Sequence, residues 1–146
     1  MSKVIVQSLE GGIMHAFALV KQFIEQCPEN IWGTKFGGWP VWQQLYHPFA
    51  SLDFFLRPAG AAEARSPFAP GVAELKNTLE EAPAKQLIKD FIVESEALVN
   101  KYIAGLDDGA LAAKNEGLSA RFGRDVTNAG TLALIASHTM YHLGSC

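Results

Sequence analysis

Apolar residues recur at steps of three and four along four stretches of the chain, which is the spacing of one face of an α-helix. The stretches cover residues 8–26, 40–56 and 83–104, and a last one runs from near 125 or 127 to the C-terminus. Clusters of glycine and proline separate them, and no stretch alternates strictly as a β-strand would, although residues 3–7 could be briefly extended. The pattern predicts an all-α fold, an antiparallel four-helix bundle, with residues 1–146 forming a single domain.

Local signals mark the ends of these predicted helices. Ser8 is a candidate N-cap for the first helix, and Pro28 stops it. Pro48 falls inside the second helix, where it should kink the helix or loosen a turn. Thr78 and Glu81 form a candidate capping box before the third helix. The side of the third helix predicted to be buried carries Leu87, Phe91, Leu98 and Tyr102, flanked by Ile88 and Val99.

Composition narrows the class of protein. Hydrophobic residues make up 49% of the 146 residues, enough for a core, and the net charge is −3. Lysines and arginines are scattered without a basic stripe, which disfavours nucleic-acid binding. Uninterrupted apolar runs are only a few residues long, too short for a secretory signal or for a membrane span, which needs roughly 20. The distant Cys27 and Cys146 give no disulfide scaffold, so we expect a cytoplasmic protein without a membrane partner.

The sharpest chemical signal lies in the last predicted helix, where His138 and His142 are four residues apart and share one face. Leu134 and Ile135 lie on the same face, which indicates that both imidazoles point into the core. Buried imidazoles need polar partners. A shared divalent cation would satisfy both, because neutral imidazole is a common metal ligand, and hydrogen bonds within the core would also do so. The spacing leaves both interpretations open.

His47, in the second predicted helix, is the candidate third ligand. Neighbouring helices of a bundle lie about 10 Å apart, close enough for side chains on the two helices to meet. On an ideal helical wheel His47 points away from Val41 and Leu45, so a kink at Pro48 or a second buried face would have to bring it inward. Periodicity alone leaves a surface position open for His47, and it places His15 on the surface.

The sequence assigns no residue a catalytic role, because it contains no Ser-His-Asp set, phosphate loop or pair of catalytic carboxylates. Any reaction would therefore depend on a metal ion. Glu94, at the edge of the third helix, could orient a histidine or could be a solvated glutamate. Trp32, Trp39 and Trp42 are either core and rim residues or an aromatic wall beside the metal, suited to an apolar substrate.

Two segments carry a family resemblance. Residues 38–47 read Gly-Trp-Pro-Val-Trp-Gln-Gln-Leu-Tyr-His and are followed by Leu-Asp-Phe-Phe-Leu at 52–56. Residues 138–144 read His-Thr-Met-Tyr-His-Leu-Gly, which fits a His-x-x-x-His-x-Gly motif in a last helix. In composition and order these segments resemble the DinB-like (YfiT-like) family of four-helix metal proteins, and the resemblance covers nearly the whole chain.

The resemblance implies a divalent metal ion, zinc or nickel before others, held by His47, His138 and His142 with water in the open positions. It also implies a homodimer and activities that use low-molecular-weight thiols for transfer or isomerisation. We therefore expect a metal-dependent enzyme that activates water or a small thiol for transfer to a small electrophile. A non-catalytic metal-binding stress protein is the alternative, and a helical domain that binds no metal is also open. Metal binding should weaken as the pH falls through about 6.5, because imidazole must be neutral to bind.

The chain departs from the family pattern at its end. Ser145 follows the motif where glutamine is frequent in the family, and the chain stops at Cys146 where the family helix usually continues. We therefore expect the domain to be truncated at its C-terminus.

Overall fold

A computed structural model describes residues 1–146 and contains helices but no β-strand, so the prediction of an all-α bundle is confirmed. Four long helices form the bundle, and two short helices and a single 3₁₀ turn lie in the connections. The helices are α1 (Val4–Gln26), α2 (Glu29–Trp32), α3 (Val41–Leu56), α4 (Lys85–Ala104), α5 (Glu116–Phe122) and α6 (Asn128–Gly144), with the 3₁₀ turn at Asp108–Ala110.

Helix direction follows from the contacts between the helices. α1 and α4 are antiparallel, because Lys21 pairs with Glu96 while Lys89 pairs with Glu25. α3 and α6 are antiparallel as well, with His142 and His138 set against the beginning and the end of α3. By contrast, α3 and α4 run in the same direction, since both begin beside the end of α1, where Trp32 donates a hydrogen bond to the Pro83 carbonyl at 2.7 Å. The long 57–84 connection returns the chain and makes this parallel pair possible.

The first helix begins at Val4, four residues before the predicted N-cap Ser8, so the expected extended segment at 3–7 is wrong. The side chain of the N-cap residue Lys3 makes no capping hydrogen bond. Ser2 accepts a hydrogen bond from the Val4 N–H at 3.4 Å, and Asp108, just after α4, accepts hydrogen bonds from the backbone N–H groups of Ile5 and Val6 at 3.0 Å each. A carboxylate at a helix N-terminus satisfies free donors and complements the helix dipole. This cap comes from a position more than 100 residues away, so no local pattern could reveal it.

Helix α1 is also the one helix whose length and composition would suit a membrane span. In the structure its apolar stripe packs into the protein core. A core helix of a bundle and a signal sequence near the N-terminus both meet these criteria of length and composition. The core residues of this stripe are Ile13, Phe17, Val20 and Ile24.

The buried side of α4 differs from the prediction by a rotation of about one residue. Leu87 and Leu98, predicted to be core, are 42% and 45% exposed. For Leu98 the reason is that α4 faces two environments: one side packs on α1 and α3, and the next side, with Phe91 and Leu98, borders a cavity. The predicted capping box is also wrong, because the N-cap position is Ala84 and no side chain caps the helix. The residues of α4 that are buried are Ile88, Ile92, Ser95, Val99 and Ile103.

Helix α3 lies at the centre of the molecule and is surrounded on nearly all sides. Every residue from 41 to 46 is buried, including Gln43 and Gln44, and the helix runs unbroken through the buried Pro48. Because α3 packs on both α4 and α6, it has a second buried face in addition to the stripe of Val41 and Leu45. That second face explains why His47 points into the protein.

The end of α3 is fixed by α5. This short helix lies in the glycine-rich segment 105–130 and was not predicted from the sequence. Arg121 donates hydrogen bonds to the carbonyls of Phe54 and Arg57, each at 2.7 Å. Gly117 permits this close packing, since a Cβ at that position would lie 2.3 Å from the Arg57 carbonyl oxygen. These contacts hold the C-terminal turn of α3 in place and thereby one side of the site described next.

Candidate metal centre

The structure brings together the three histidines that the sequence singled out. His47 comes from the middle of α3, and His138 and His142 come from successive turns of α6. Their ring centroids lie 4.6 Å apart for the 47–142 pair, 4.7 Å for 138–142 and 5.0 Å for 47–138. One nitrogen of each ring lies within 4.8 Å of the others. His15, by contrast, is exposed on α1 as expected.

His47 is oriented by the backbone of the 57–84 connection. Its Nδ1 lies 2.6 Å from the carbonyl oxygen of Ala73. A carbonyl oxygen only accepts hydrogen bonds, so Nδ1 carries the proton and Nε2 carries the lone pair. The loop that supplies this carbonyl is held by Gln43, which donates to the carbonyls of Val72 and Asn77 at 2.9 and 2.6 Å.

His142 is oriented by a side chain from the opposite helix. Its Nδ1 lies 2.7 Å from Oε1 of Gln44, one turn before His47 on α3. Its Nε2 lies 3.2 Å from Nε2 of His138. The outer nitrogens of His47 and His142 therefore each contact an oxygen acceptor, and their inner nitrogens lie on the side of the other histidines.

His138 has no such outer partner, because its Nδ1 is buried and makes no hydrogen bond. If Nδ1 carries the proton, a buried donor is unsatisfied and two lone pairs face each other across 3.2 Å. If Nε2 carries it, Nδ1 is an unsatisfied acceptor. A cation between the inner nitrogens removes the repulsion between the lone pairs. Two nitrogens on one tetrahedral zinc ion, with bonds of about 2.0–2.1 Å, lie roughly 3.3 Å apart, so the observed pair fits a zinc-sized ion.

Burial keeps all three imidazoles neutral, as metal ligation requires. Loss of hydration lowers the pKa of His138 and of His142 to about 4, and the nearby His47 adds a smaller repulsion in the same direction. Burial also lowers the pKa of His47, although the hydrogen bond to Ala73 and the negative charge of Glu74 act against it. The histidine cluster could therefore hold a divalent metal ion at neutral pH.

A cavity of about 670 Å³ adjoins this cluster, and His47 and His138 form part of its wall. It lies between α3, α4 and the 57–84 connection. Half of its 22 lining residues are hydrophobic, and the others include charged groups. Of these, Arg57 is paired with Asp53 at 3.0 Å. The remaining charged groups of the wall are Glu63, Arg65, Glu74 and Glu94. A ligand in the cavity would lie against the histidines and against aromatic side chains. The apolar part of the wall includes Phe54, Phe55, Phe91, Leu98 and Leu134.

The structure decides between the alternatives that the sequence left open for Glu94 and for the three tryptophans. Glu94 is exposed and lines the cavity without a hydrogen bond to any histidine, so it does not orient one. None of the three tryptophans lines the cavity. Trp32 and Trp42 are buried core residues, and Trp42 packs on Phe68 of the 57–84 connection with ring centroids 5.3 Å apart. The aromatic wall comes from phenylalanines of α3 and α4 instead.

The residues that orient the ligands were missed. Gln43 and Gln44 lie within the segment that carries the family resemblance, but adjacent glutamines on a helix point to different neighbours and form no recognisable motif. Two buried glutamines in a central helix are unusual, since glutamine is mostly exposed. In a helix that is buried on both faces, such a pair of glutamines indicates side chains that hydrogen-bond to buried polar groups. The Ala73 carbonyl, a backbone group of a loop, leaves no signal in the sequence.

Comparison with known proteins gives one match. The family model of the DinB superfamily matches residues 15–146, which is most of the chain and includes all three histidines of the cluster. No curated protein and no solved structure matches the chain. With the helical bundle and the histidine cluster, this match establishes that the chain belongs to the DinB superfamily.

Proposed function

We propose that the protein is a metal-dependent enzyme in which His47, His138 and His142 hold a divalent ion, zinc or nickel, beside the cavity. One observation carries the proposal: three neutral imidazoles from two helices converge at the wall of a cavity large enough for a small molecule. A protein-only set of three neutral ligands is typical of reactive sites, because it leaves a coordination position for water or substrate.

When bound, the ion would supply Lewis acidity, lowering the pKa of a coordinated water or thiol and polarising an electrophile. The residues of the chain have separate tasks. The three histidines bind and remain neutral, the Ala73 carbonyl and the Gln44 amide orient two of them, and α3 and α6 fix the separation between them. No carboxylate hydrogen-bonds to a histidine of the cluster, so the protein adds no negative charge to the donor set.

The phenylalanines of the cavity wall favour a small electrophile with an apolar, planar part. Phe54, Phe55 and Phe91 line one part of the wall, and the ring of Phe55 lies 5.5 Å from that of His138. Aromatic walls exclude water from the reacting groups and bind planar apolar groups well. The proposed reaction is attack by a low-molecular-weight thiol or by water on such an electrophile, in the compartment that we propose to be the cytoplasm.

The test begins with metal binding. Protein purified without an affinity tag is stripped with a chelator, reloaded with zinc or nickel, and its bound metal is measured. We expect one ion per chain in the parent, and His47→Gln should lose it or bind it at least tenfold more weakly. His15→Gln, which changes an exposed histidine on α1, is the matched control and should bind as the parent does. Equal binding by the parent and His47→Gln would contradict the proposed ligand set.

Activity is tested on the loaded protein with a panel of small thiols and an aryl chloride. The thiol sulfur forms a bond to the ring carbon, chloride leaves, and the thiol proton passes to solvent. We expect turnover that depends on metal and falls with His47→Gln, and unchanged turnover in His15→Gln. Stoichiometric metal without turnover of any thiol or of water would favour the alternative, a non-catalytic metal-binding protein.

A further inference from the structure

We propose that Gln44 is a positioning residue that sets the tautomer of His142 and, through the contact between the two rings, that of His138. The inference rests on the proposed metal site for its purpose, but its central claim concerns hydrogen bonds within the chain itself. Gln44 would thereby keep the metal-binding nitrogen of His142 unprotonated and directed at the cluster.

Gln44 lies in a buried environment between α3 and α6. The residue is 8% exposed and lies on α3 one turn before His47. Burying an amide is costly unless its polar atoms find partners, and here Oε1 contacts Nδ1 of His142 at 2.7 Å. The contact joins α3 to α6 across the middle of the bundle. It is the one hydrogen bond that the imidazole of His142 makes outside the histidine cluster.

The contact with Gln44 determines which ring nitrogen of His142 carries the proton. An amide oxygen accepts and cannot donate, so Nδ1 of His142 must carry the hydrogen. A neutral imidazole carries only one, so in neutral His142 the Nε2 atom is an unprotonated lone pair. The side chain of Gln44 therefore selects the form of His142 in which the inner nitrogen is able to bind a cation.

The tautomer of His142 in turn affects His138, because the imidazole of His138 makes its only hydrogen bond with Nε2 of His142, at 3.2 Å. Because that nitrogen accepts, His138 satisfies the contact only by donating from its own Nε2. In protein without metal, His138 should therefore be the Nε2–H form while His47 and His142 are Nδ1–H forms. Gln44 fixes both rings of α6 through one hydrogen bond.

Gln44 differs from the group that orients His47 in being a side chain. The acceptor for His47 is the Ala73 backbone carbonyl, which a side-chain replacement leaves in place. Gln44 supplies a side-chain acceptor, so it is a point at which a single substitution alters ligand orientation without removing a ligand. Leucine has similar bulk and no acceptor, whereas glutamate keeps an acceptor oxygen at the same position.

The experiment measures histidine tautomers by long-range ¹H–¹⁵N NMR on chelator-treated protein, with metal affinity measured by competition against a chelator. In the parent we expect Nδ1–H for His142 and Nε2–H for His138. Gln44→Leu should yield a mixture of His142 tautomers and bind zinc 10- to 100-fold more weakly. Gln44→Glu should retain the Nδ1–H form and parent-like affinity. Gln86→Leu, an exposed glutamine on α4, is the matched control and should change neither quantity.

A parent spectrum in which His142 carries its proton on Nε2 would overturn the inference without any variant. So would a Gln44→Leu protein with the parent tautomer and affinity. If Gln44→Leu fails to fold, the parent spectrum and Gln44→Glu still decide the matter. Failure of the proposed function would appear differently, as the expected tautomers in a protein that binds no zinc.

Discussion

At the scale of single residues, the candidate site depends on the atoms behind the three imidazoles as much as on the imidazoles. His47 has a backbone acceptor, His142 has an amide acceptor, and His138 has none. The asymmetry makes His138 the ligand that gains most from a cation, since its Nδ1 has no partner and its ring is hydrogen-bonded only to His142. The histidine pair was predictable because i, i+4 spacing places two rings on one face. The oxygen acceptors behind His47 and His142 were not predictable, because they depend on which segments pack against α3.

The first prediction concerns His138→Ala. The substitution removes one ligand but no hydrogen bond to the rest of the bundle, so helical content measured by circular dichroism should remain close to that of the parent. Bound zinc measured by mass spectrometry should fall at least tenfold, since ligand changes typically cost 10- to 100-fold in affinity. The control is His15→Ala, which should keep its metal. A His138→Ala protein with one bound ion per chain would exclude His138 as a ligand.

The second prediction concerns pH. In the folded chain His138 and His142 have pKa values of about 4, whereas in an unfolded chain histidine titrates near 6.5. The unfolded state therefore binds more protons between these values, so the free energy of unfolding of metal-free protein should be constant above about 6.5 and decline as the pH falls towards 4. Denaturant titrations of metal-free protein at a series of pH values from 8 to 4 measure this free energy of unfolding.

The same low pKa values move the expected loss of metal to more acid pH. The sequence alone predicts weaker binding as pH falls through about 6.5, the value for exposed imidazole. In the folded site protons compete with the metal for His138 and His142 only as the pH approaches about 4. Metal affinity that falls tenfold or more between pH 7.5 and 6 would contradict this burial of the ligands.

At the scale of elements, each long helix was predictable from its apolar spacing, but the faces and ends were less so. The stripe of α3 was identified correctly, and the side of His47 was uncertain because a helix buried all round shows no clean polar face. The prediction for α4 was rotated because the helix borders both core and cavity, and leucine at a cavity rim resembles leucine in a core. The cap of α1 by Asp108 and the short α5 depend on contacts between distant segments.

The third prediction tests the contact that fixes the end of α3. Gly117→Ala would place a methyl group 2.3 Å from the Arg57 carbonyl oxygen, a backbone atom that is unable to rotate away. We expect a loss of about 1–3 kcal/mol in the free energy of unfolding, the usual range for overpacking. Gly12→Ala, in α1 with open space around the position, should instead stabilise by about 0.5–1 kcal/mol. Equal effects of the two substitutions would show that α5 does not pack this closely on α3.

At the scale of the whole molecule, the 57–84 connection matters most for the site. It makes α3 and α4 parallel, supplies the Ala73 carbonyl to His47, and forms one wall of the cavity. Short connections favour antiparallel neighbours, which is why an antiparallel arrangement was expected. A long connection without a helix gives no hydrophobic period from which its path could be predicted. Helix content and the histidine set were therefore accessible from sequence, whereas the cavity was not.

The fourth prediction is self-association, which stays a prediction from the family resemblance. Several large apolar side chains are exposed on the single chain, including Val4 at 69% and Tyr141 at 70%. A partner copy would cover such surface. Light scattering coupled to size-exclusion chromatography should give twice the mass of one chain at micromolar concentration. A monomer over the range from 1 to about 100 micromolar would contradict the prediction.

The central claim, a metal ion held by His47, His138 and His142, is tested most directly by anomalous diffraction from crystals of zinc-loaded protein. Data collected on the two sides of the zinc edge should give a difference peak between the three imidazoles, about 2.0–2.1 Å from each coordinating nitrogen, that disappears below the edge. A map with no peak at the cluster, or with zinc only at surface groups such as His15 while the three rings hydrogen-bond to one another, would contradict the account.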